Sequence, residues 1–238
     1  MDDFFWTGLI FLLAGFTQGV SGFGAGLVAM PLLLLFMEAK VAVPFCMLNG
    51  LAITLMLSLQ LRRSVQWHKV RPLFWGCLPG IALGALLLRG ADNRLLEVLL
   101  GILVIAYCFY SLTFTPRIRR LHPVWPVMAG FGTGIIGSLF SAGGPPTIIY
   151  LTLTGWDKDE IKATLSFFFF VTGIFIAAGH ALCGLTTWQV LAGLPYSLPF
   201  VVAGVVSGVM MYGRIPQKTY IRLILYLLLV VGFMMILV

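Results

Sequence analysis

The sequence predicts an all-α polytopic membrane protein, and three observations carry that prediction. Hydrophobic residues make up 60% of the 238 positions and charged residues only 10%, far from the composition of a water-soluble domain. Apolar blocks follow one another with short polar interruptions, each close to the twenty or so residues a helix needs to cross the hydrocarbon. Two further blocks are too long for one ordinary crossing and too short for two, and both carry runs of glycine.

Six blocks have the length of a single crossing: 42–61, 72–88, 95–114, 162–182, 188–212 and 219–237. The two long ones are 4–36 and 123–155, containing SGFGAGLVAMP (Ser21 to Pro31) and IIGSLFSAGGPPT (Ile135 to Thr147). No soluble domain larger than a loop fits between them. The chain opens MDDFFW, acidic rather than basic, so no cleavable signal peptide is expected and the first block is retained.

The lysines and arginines choose a geometry for the second long block. A single crossing divides them seven against eight, which is no bias. A hairpin that enters and returns puts Arg62, Arg63, Lys69, Arg71, Arg117, Arg119, Arg120, Lys158, Lys162, Arg214, Lys218 and Arg222 on one side, against Lys40, Arg89 and Arg94 on the other. Twelve against three is a positive-inside pattern, so a re-entrant element is expected.

The first block resembles the second. At an offset of 115, Ala14, Gly15, Phe16, Gly19, Gly22 and Pro31 meet Ala129, Gly130, Phe131, Gly134, Gly137 and Pro146, six identities in eighteen positions. At an offset of 120, Pro79 and Gly84 meet Pro199 and Gly204. Two pseudo-symmetric halves follow, 1–114 and 123–238, each a glycine-broken helix plus three transmembrane helices, joined by a basic cytoplasmic linker at 115–122. The odd number of crossings per half makes the pair an inverted repeat, with both termini outside the cytoplasm.

Non-helical backbone at membrane depth is tolerated only where protein buries it or a cavity solvates it. Each break is therefore expected to line a cavity. The half-helix that starts there points its free N–H groups and positive dipole end inward, an arrangement suited to anions. Gln18, Ser21, Gly22, Gly24 and Gly26 are the candidates in the first half. In the second they are Ser141, as a nearby cap, with Gly143, Gly144, Pro145, Pro146 and Thr147, either proline suiting the first helical turn. Gly15, Gly19, Gly130 and Gly134, at spacing four, read as helix packing instead. Asn49, in the apolar run PFCMLNGLAITLML, is either a helix–helix hydrogen bond or a ligand group.

Ser166, Thr172 and Ser207 are expected to bond back to their own helices, and His180 to be a helix-end or interfacial histidine rather than a proton relay. No carboxylate falls at the centre of a span, which argues against a cation substrate and a carboxylate proton relay. Cys46, Cys77, Cys108 and Cys183 lie far apart, with no CxxC and no histidine at ligand spacing, so no metal site and no cofactor is expected. No catalytic constellation points to an enzyme, and the +7 charge reflects membrane topology rather than nucleic-acid binding. The partners expected are a small anion and the lipid bilayer; oligomeric state is not encoded legibly. A non-transporting assembly or sensor subunit with packing glycines is the competing class, and an anion channel a third.

The two elements AGFTQGVSGFGAGLVAMPLLL and AGFGTGIIGSLFSAGGPPTIIYL make the chain resemble the TauE/SafE family of sulfite and organosulfonate exporters over nearly its whole length. The resemblance implies a bacterial-type, multi-pass inner-membrane transporter with about eight membrane segments. It implies outward movement of sulfite, sulfoacetate or related sulfonates. Carried onto this sequence, the family's motif falls on Ser21, Gly22, Gly24 and Gly26, and on Ser141, Gly143, Gly144, Pro145, Pro146 and Thr147.

Overall fold

The computed structural model describes residues 2–61, 65, 67–114, 118, 121–154, 158–214 and 217–237. Among these the chain forms ten α-helices and no strand, as a backbone must when lipid offers it no hydrogen-bond partner. The first glycine block gives α1 (Asp2–Ser21) and α2 (Ala25–Leu33). α3 (Ala39–Leu61), α4 (Trp67–Gly90) and α5 (Asn93–Thr113) follow. The second block gives α6 (Val124–Phe140) and α7 (Gly144–Thr152), followed by α8 (Lys158–Leu182), α9 (Trp188–Met211) and α10 (Gln217–Leu237).

α3, α4, α5, α8 and α9 are long and apolar enough to cross a membrane, and α10 carries the shorter apolar stretch Ile221–Leu237 within its 21 residues. Trp75, Leu86, Phe109 and Val230 are all more than half exposed. So many large apolar side chains facing outward suit lipid rather than water.

Contacts sort the helix ends into two groups. At one end Asn93 Nδ2 donates to Glu38 Oε2 at 3.1 Å, and Arg94 donates to the carbonyls of Met235 and Ile236. A cavity lined by Thr7, Glu38 and Gln189 brings the starts of α1, α3 and α9 to that end. At the other end the Tyr212 hydroxyl donates to Asp159, and the Trp67 ring meets that of Phe167. This separates Arg94 from Lys162 and Arg214. Arg62, Arg63, Arg117, Arg119 and Arg120, and with them most of the 115–122 linker, lie outside the described residues.

The glycines set the closest packing. α1 lies along α9 in parallel, and α6 along α4 in parallel, so α1 and α6 run in opposite directions. A Cβ added at Gly204 would stand 2.3 Å from Leu12 O, and one at Gly208 2.4 Å from Phe16 O. The matching distances in the other pair are 2.4 Å from Gly80 to Phe131 O and 2.6 Å from Gly84 to Ile135 O. Gly15, Gly19, Gly130 and Gly134 pack on the partner backbone in the same way.

Taken with the ends of the broken elements, these pairs give a register that differs from the sequence match. Leu12 and Phe131 are 119 apart, as are Phe16 and Ile135; Gly80 and Gly204 are 124 apart, as are Gly84 and Gly208. The ends of the broken elements agree: Ser21, Ala25 and Leu33 plus 119 give Phe140, Gly144 and Thr152. The offsets 115 and 120 read from identities are therefore each four residues short. Four residues is about one helical turn, so the slip keeps every glycine on its own face and the sequence does not betray it. Pro31 and Pro146, matched by sequence, are not equivalent in space: Pro31 sits inside α2 and Pro146 in the first turn of α7.

Candidate anion-binding site

Each break is a short left-handed interruption. α1 makes its last bond from Gly22 N to Gln18 O at 2.7 Å, and α6 its last from Ser141 N to Gly137 O at 2.8 Å. The chain then turns through positive φ, at Gly22 (84°) and Gly24 (95°) in the first break and at Ser141 (53°) in the second. Glycine meets that conformation without steric cost, which explains two of the alternating glycines. Ser141 meets it with its hydroxyl bonded across to Val43 O on α3 at 2.7 Å. That engagement means Ser141 is not the side-chain cap of α7 that the sequence suggested.

After the turn the short helix doubles back. Thr133 on α6 and Thr147 on α7 share a hydroxyl hydrogen bond of 2.6 Å, so the second block is a helical hairpin. Gly24 and Gly143 are the N-caps of α2 and α7, and neither helix has a side-chain cap bond. The first N–H groups of a helix have no intrahelical acceptor. Gly24, Ala25, Gly26 and Leu27 supply such donors in the first half. Gly143 and Gly144 supply them in the second, where Pro145 and Pro146 have no N–H to leave unmatched.

Both N-termini open on one partly enclosed cavity of about 70 Å³. Gln18, Gly24, Gly26, Ser141, Gly143 and Gly144 line it, together with Thr133, the α3 residues Met47, Gly50 and Thr54, and the α8 residues Phe169, Thr172 and Gly173. Among the described residues no charged side chain lines it. That volume is below the roughly 300–1,000 Å³ of pockets for drug-sized ligands, so a small ion fits the space better than a large organic molecule.

Six residues expected at the site stand elsewhere. Ser21 has its hydroxyl engaged within its own break, donating to Thr17 O or Phe23 O and accepting from Phe23 N. Gly22 abuts the Lys162 side chain. Asn49 is fully buried between helices, donating to Phe45 O at 3.0 Å and accepting from Ser197 Oγ of α9 at 2.7 Å. Of its two readings, the structure displays the helix–helix bond. Thr147 stands behind Thr133, and Pro145 and Pro146 form the first turn of α7 without lining the cavity.

Other residues were missed by the sequence reading. Thr172 does bond back to Phe168 O at 2.7 Å, as expected, yet it also lines the cavity. Ser166 and Ser207 bond back to Lys162 O and Ala203 O. Gly50 and Gly173 face the cavity from α3 and α8, each just after a polar residue in an apolar span, and that pairing was the available signal. Lys162, counted by sequence as a loop charge, is 5% exposed and donates to Gly19 O at 2.7 Å, with its ammonium 3.6 Å from the Tyr212 ring centroid. His180 is a helix-end residue as expected, but it is fully buried.

Long apolar helices around two interrupted ones, whose free N-termini share one cavity, define a multi-pass membrane protein of the transporter type. The chain belongs to the sulfite exporter TauE/SafE family, whose model matches residues 7–235. Members of that family are transporters of small anions and not enzymes. No curated protein and no solved structure matches the chain.

Proposed function

We propose that the protein is a secondary transporter that exports a small oxyanion, sulfite or an organosulfonate such as sulfoacetate, across the bacterial inner membrane. The anion is held in the cavity between the two breaks. The single observation that carries this reading is that both uncapped N-termini open on one partly enclosed space with no charged side chain among its described lining. Each N-terminus carries about half a positive charge, so an anion between them is stabilised without a lysine or arginine at the site. The donors are the amides of Gly24 to Leu27 and of Gly143 and Gly144, with the Gln18 amide beside them. If Thr147 donates in the Thr133 bond, the Thr133 hydroxyl keeps its own proton for the ligand.

We take the two halves to be an inverted repeat, 1–114 and 123–238. The antiparallel course of α1 and α6 and the common 119 and 124 offsets support it. An inverted pair gives the cavity two equivalent walls and hence two equivalent ways to open, the usual basis of alternating access.

Gly50 provides the test, because a Cβ there meets nothing within 4 Å while the residue lines the cavity. Gly50→Leu should insert and fold normally yet stop exchange of labelled sulfoacetate in proteoliposomes, with Gly50→Ala intermediate. Full exchange by Gly50→Leu would move the anion site out of this cavity. Conductance that grows linearly with anion concentration would favour a channel.

A further inference from the structure

The two breaks leave equivalent loose ends, and one helix ties both. The last helical bonds of α1 and α6 are accepted by Gln18 O and Gly137 O, so Gly19 O and Ser138 O are the first carbonyls left without a helical partner. Gly19 plus 119 is Ser138, the register of the breaks themselves. Lys162 Nζ donates to Gly19 O at 2.7 Å, and His180 Nε2 lies 2.7 Å from Ser138 O. Both basic residues belong to α8, eighteen positions apart, or about 27 Å along the helix. Each stands at the negative end of a broken helix, where a positive charge is favoured.

The two caps differ in chemistry. A carbonyl oxygen only accepts, so His180 Nε2 must carry the hydrogen in that bond, and Nδ1 is the position that gains or loses a proton. Nδ1 is buried with no hydrogen-bond partner among the described residues, and so is the hydroxyl of Ser138. Two unmatched polar atoms on bonded, fully buried residues are costly unless a ligand uses them.

The pair also adjoins the anion cavity. Gly137 precedes Ser138, and Ile176 lies one turn before His180, both in the cavity wall. The helices packed on α8 bring little competing charge. α6 has no titratable side chain; α3 carries Cys46 and, in its first turn, Lys40; α4 carries Cys77 and the exposed Arg89, with His68, Lys69 and Arg71 at its far end.

We propose that His180, with Ser138, is a proton-binding site through which anion movement is coupled to protons. The inference rests on the transport reading above. A proton taken up at Nδ1 makes an imidazolium beside the cavity, and an anion entering the cavity favours that same charged state. Anion and proton therefore load together and cross in the same direction, so export runs down the anion's own outward gradient and carries a proton out with each anion. When both leave, the neutral imidazole keeps its bond to Ser138 O, so the α6 end stays capped throughout the cycle.

The test uses the full chain in proteoliposomes with labelled sulfoacetate, an anion whose charge is constant over the neutral range. A pH gradient imposed without an anion gradient should make the wild type concentrate the label on the alkaline side. His180→Gln keeps an N–H for Ser138 O but has no proton site. It should retain exchange of labelled for unlabelled sulfoacetate at equal pH and lose gradient-driven accumulation. Accumulation by His180→Gln equal to wild type, or exchange without accumulation in the wild type, overturns the coupling. If the wild type exchanges no sulfonate, it is the transport reading that fails. Nitrogen NMR of His180 in a His68→Gln/His122→Gln background then decides the site alone: Nδ1 should gain a proton within the pH range over which the gradient drives accumulation, and an Nδ1 that does not titrate there overturns it.

Discussion

Gly26 rests its backbone on the carbonyl of Ser141: a Cβ built on Gly26 would stand 1.9 Å from that oxygen. The two breaks are thus in direct contact, and one cavity rather than two lies beside them. Gly26→Ala must push them apart. Overpacking costs about 1–3 kcal/mol, and where it falls on the anion-bound state, exchange slows by about fivefold to a hundredfold. Anion counterflow in proteoliposomes measures this. Exchange at the wild-type rate would mean that the breaks separate freely and that their contact is incidental.

Gly24 and Gly144 should respond differently from each other. Gly24 lies at φ 95°, where any L side chain is strained, whereas a Cβ at Gly144 meets only Ile148 Cδ1 at 3.1 Å. Gly24→Ala is expected to abolish exchange, while Gly144→Ala retains part of it and Gly144→Val does not. Surface expression of each variant, measured beside flux, separates loss of function from failure to insert.

Asn49 is predicted to matter for stability and not for affinity. Its amide joins α3 to Ser197 on α9 and faces no cavity residue through that bond. Asn49→Ala leaves the Ser197 hydroxyl to its weaker bonds within α9 and should cost about 1–3 kcal/mol. Thermal unfolding in detergent reads that loss. Sulfoacetate affinity should be unchanged; a large fall in affinity with normal stability would return Asn49 to the ligand.

Lys162→Met removes the ammonium from Gly19 O while keeping a stem of similar length against Gly22. A charged hydrogen bond contributes about 1.5–3 kcal/mol, so the unfolding temperature should drop. The first break should also become easier to cleave or label. Cysteine labelling at Phe23, faster in Lys162→Met than in the parent, is the expected outcome; equal rates would show that Lys162 does not hold the break.

Topology has its own check. Both termini are predicted outside the cytoplasm and the 115–122 linker inside it. Reporter fusions at Val238 and at the linker should give opposite signals, and a cytoplasmic Val238 would mean that the second glycine block crosses the membrane.

Much of this was legible in the residues. Composition and block length gave the long apolar helices, because a helix of fixed rise must match a bilayer of fixed thickness. The alternate glycines of SGFGAG and the GGPP run located both breaks, since few other sequences can turn a backbone at membrane depth. The site was legible only in part. Gln18, Gly24, Gly26, Ser141, Gly143 and Gly144 line the cavity, but Ser21 and Asn49 looked equally available and are engaged elsewhere. A polar residue in an apolar run announces that it needs a partner without saying whether the partner is a helix or a ligand.

By itself the sequence determined that the chain is a helical membrane protein with two broken elements, because hydrophobicity and glycine freedom act locally. Tertiary structure alone decided the register between those elements, one turn away from the sequence match, because a shift of four residues leaves a helix face unchanged. It also decided which basic residues cap the breaks. Lys162 and His180 are unremarkable in α8 until α1 and α6 end beside them, and only packing from distant parts of the chain puts an unpaired carbonyl within reach of each.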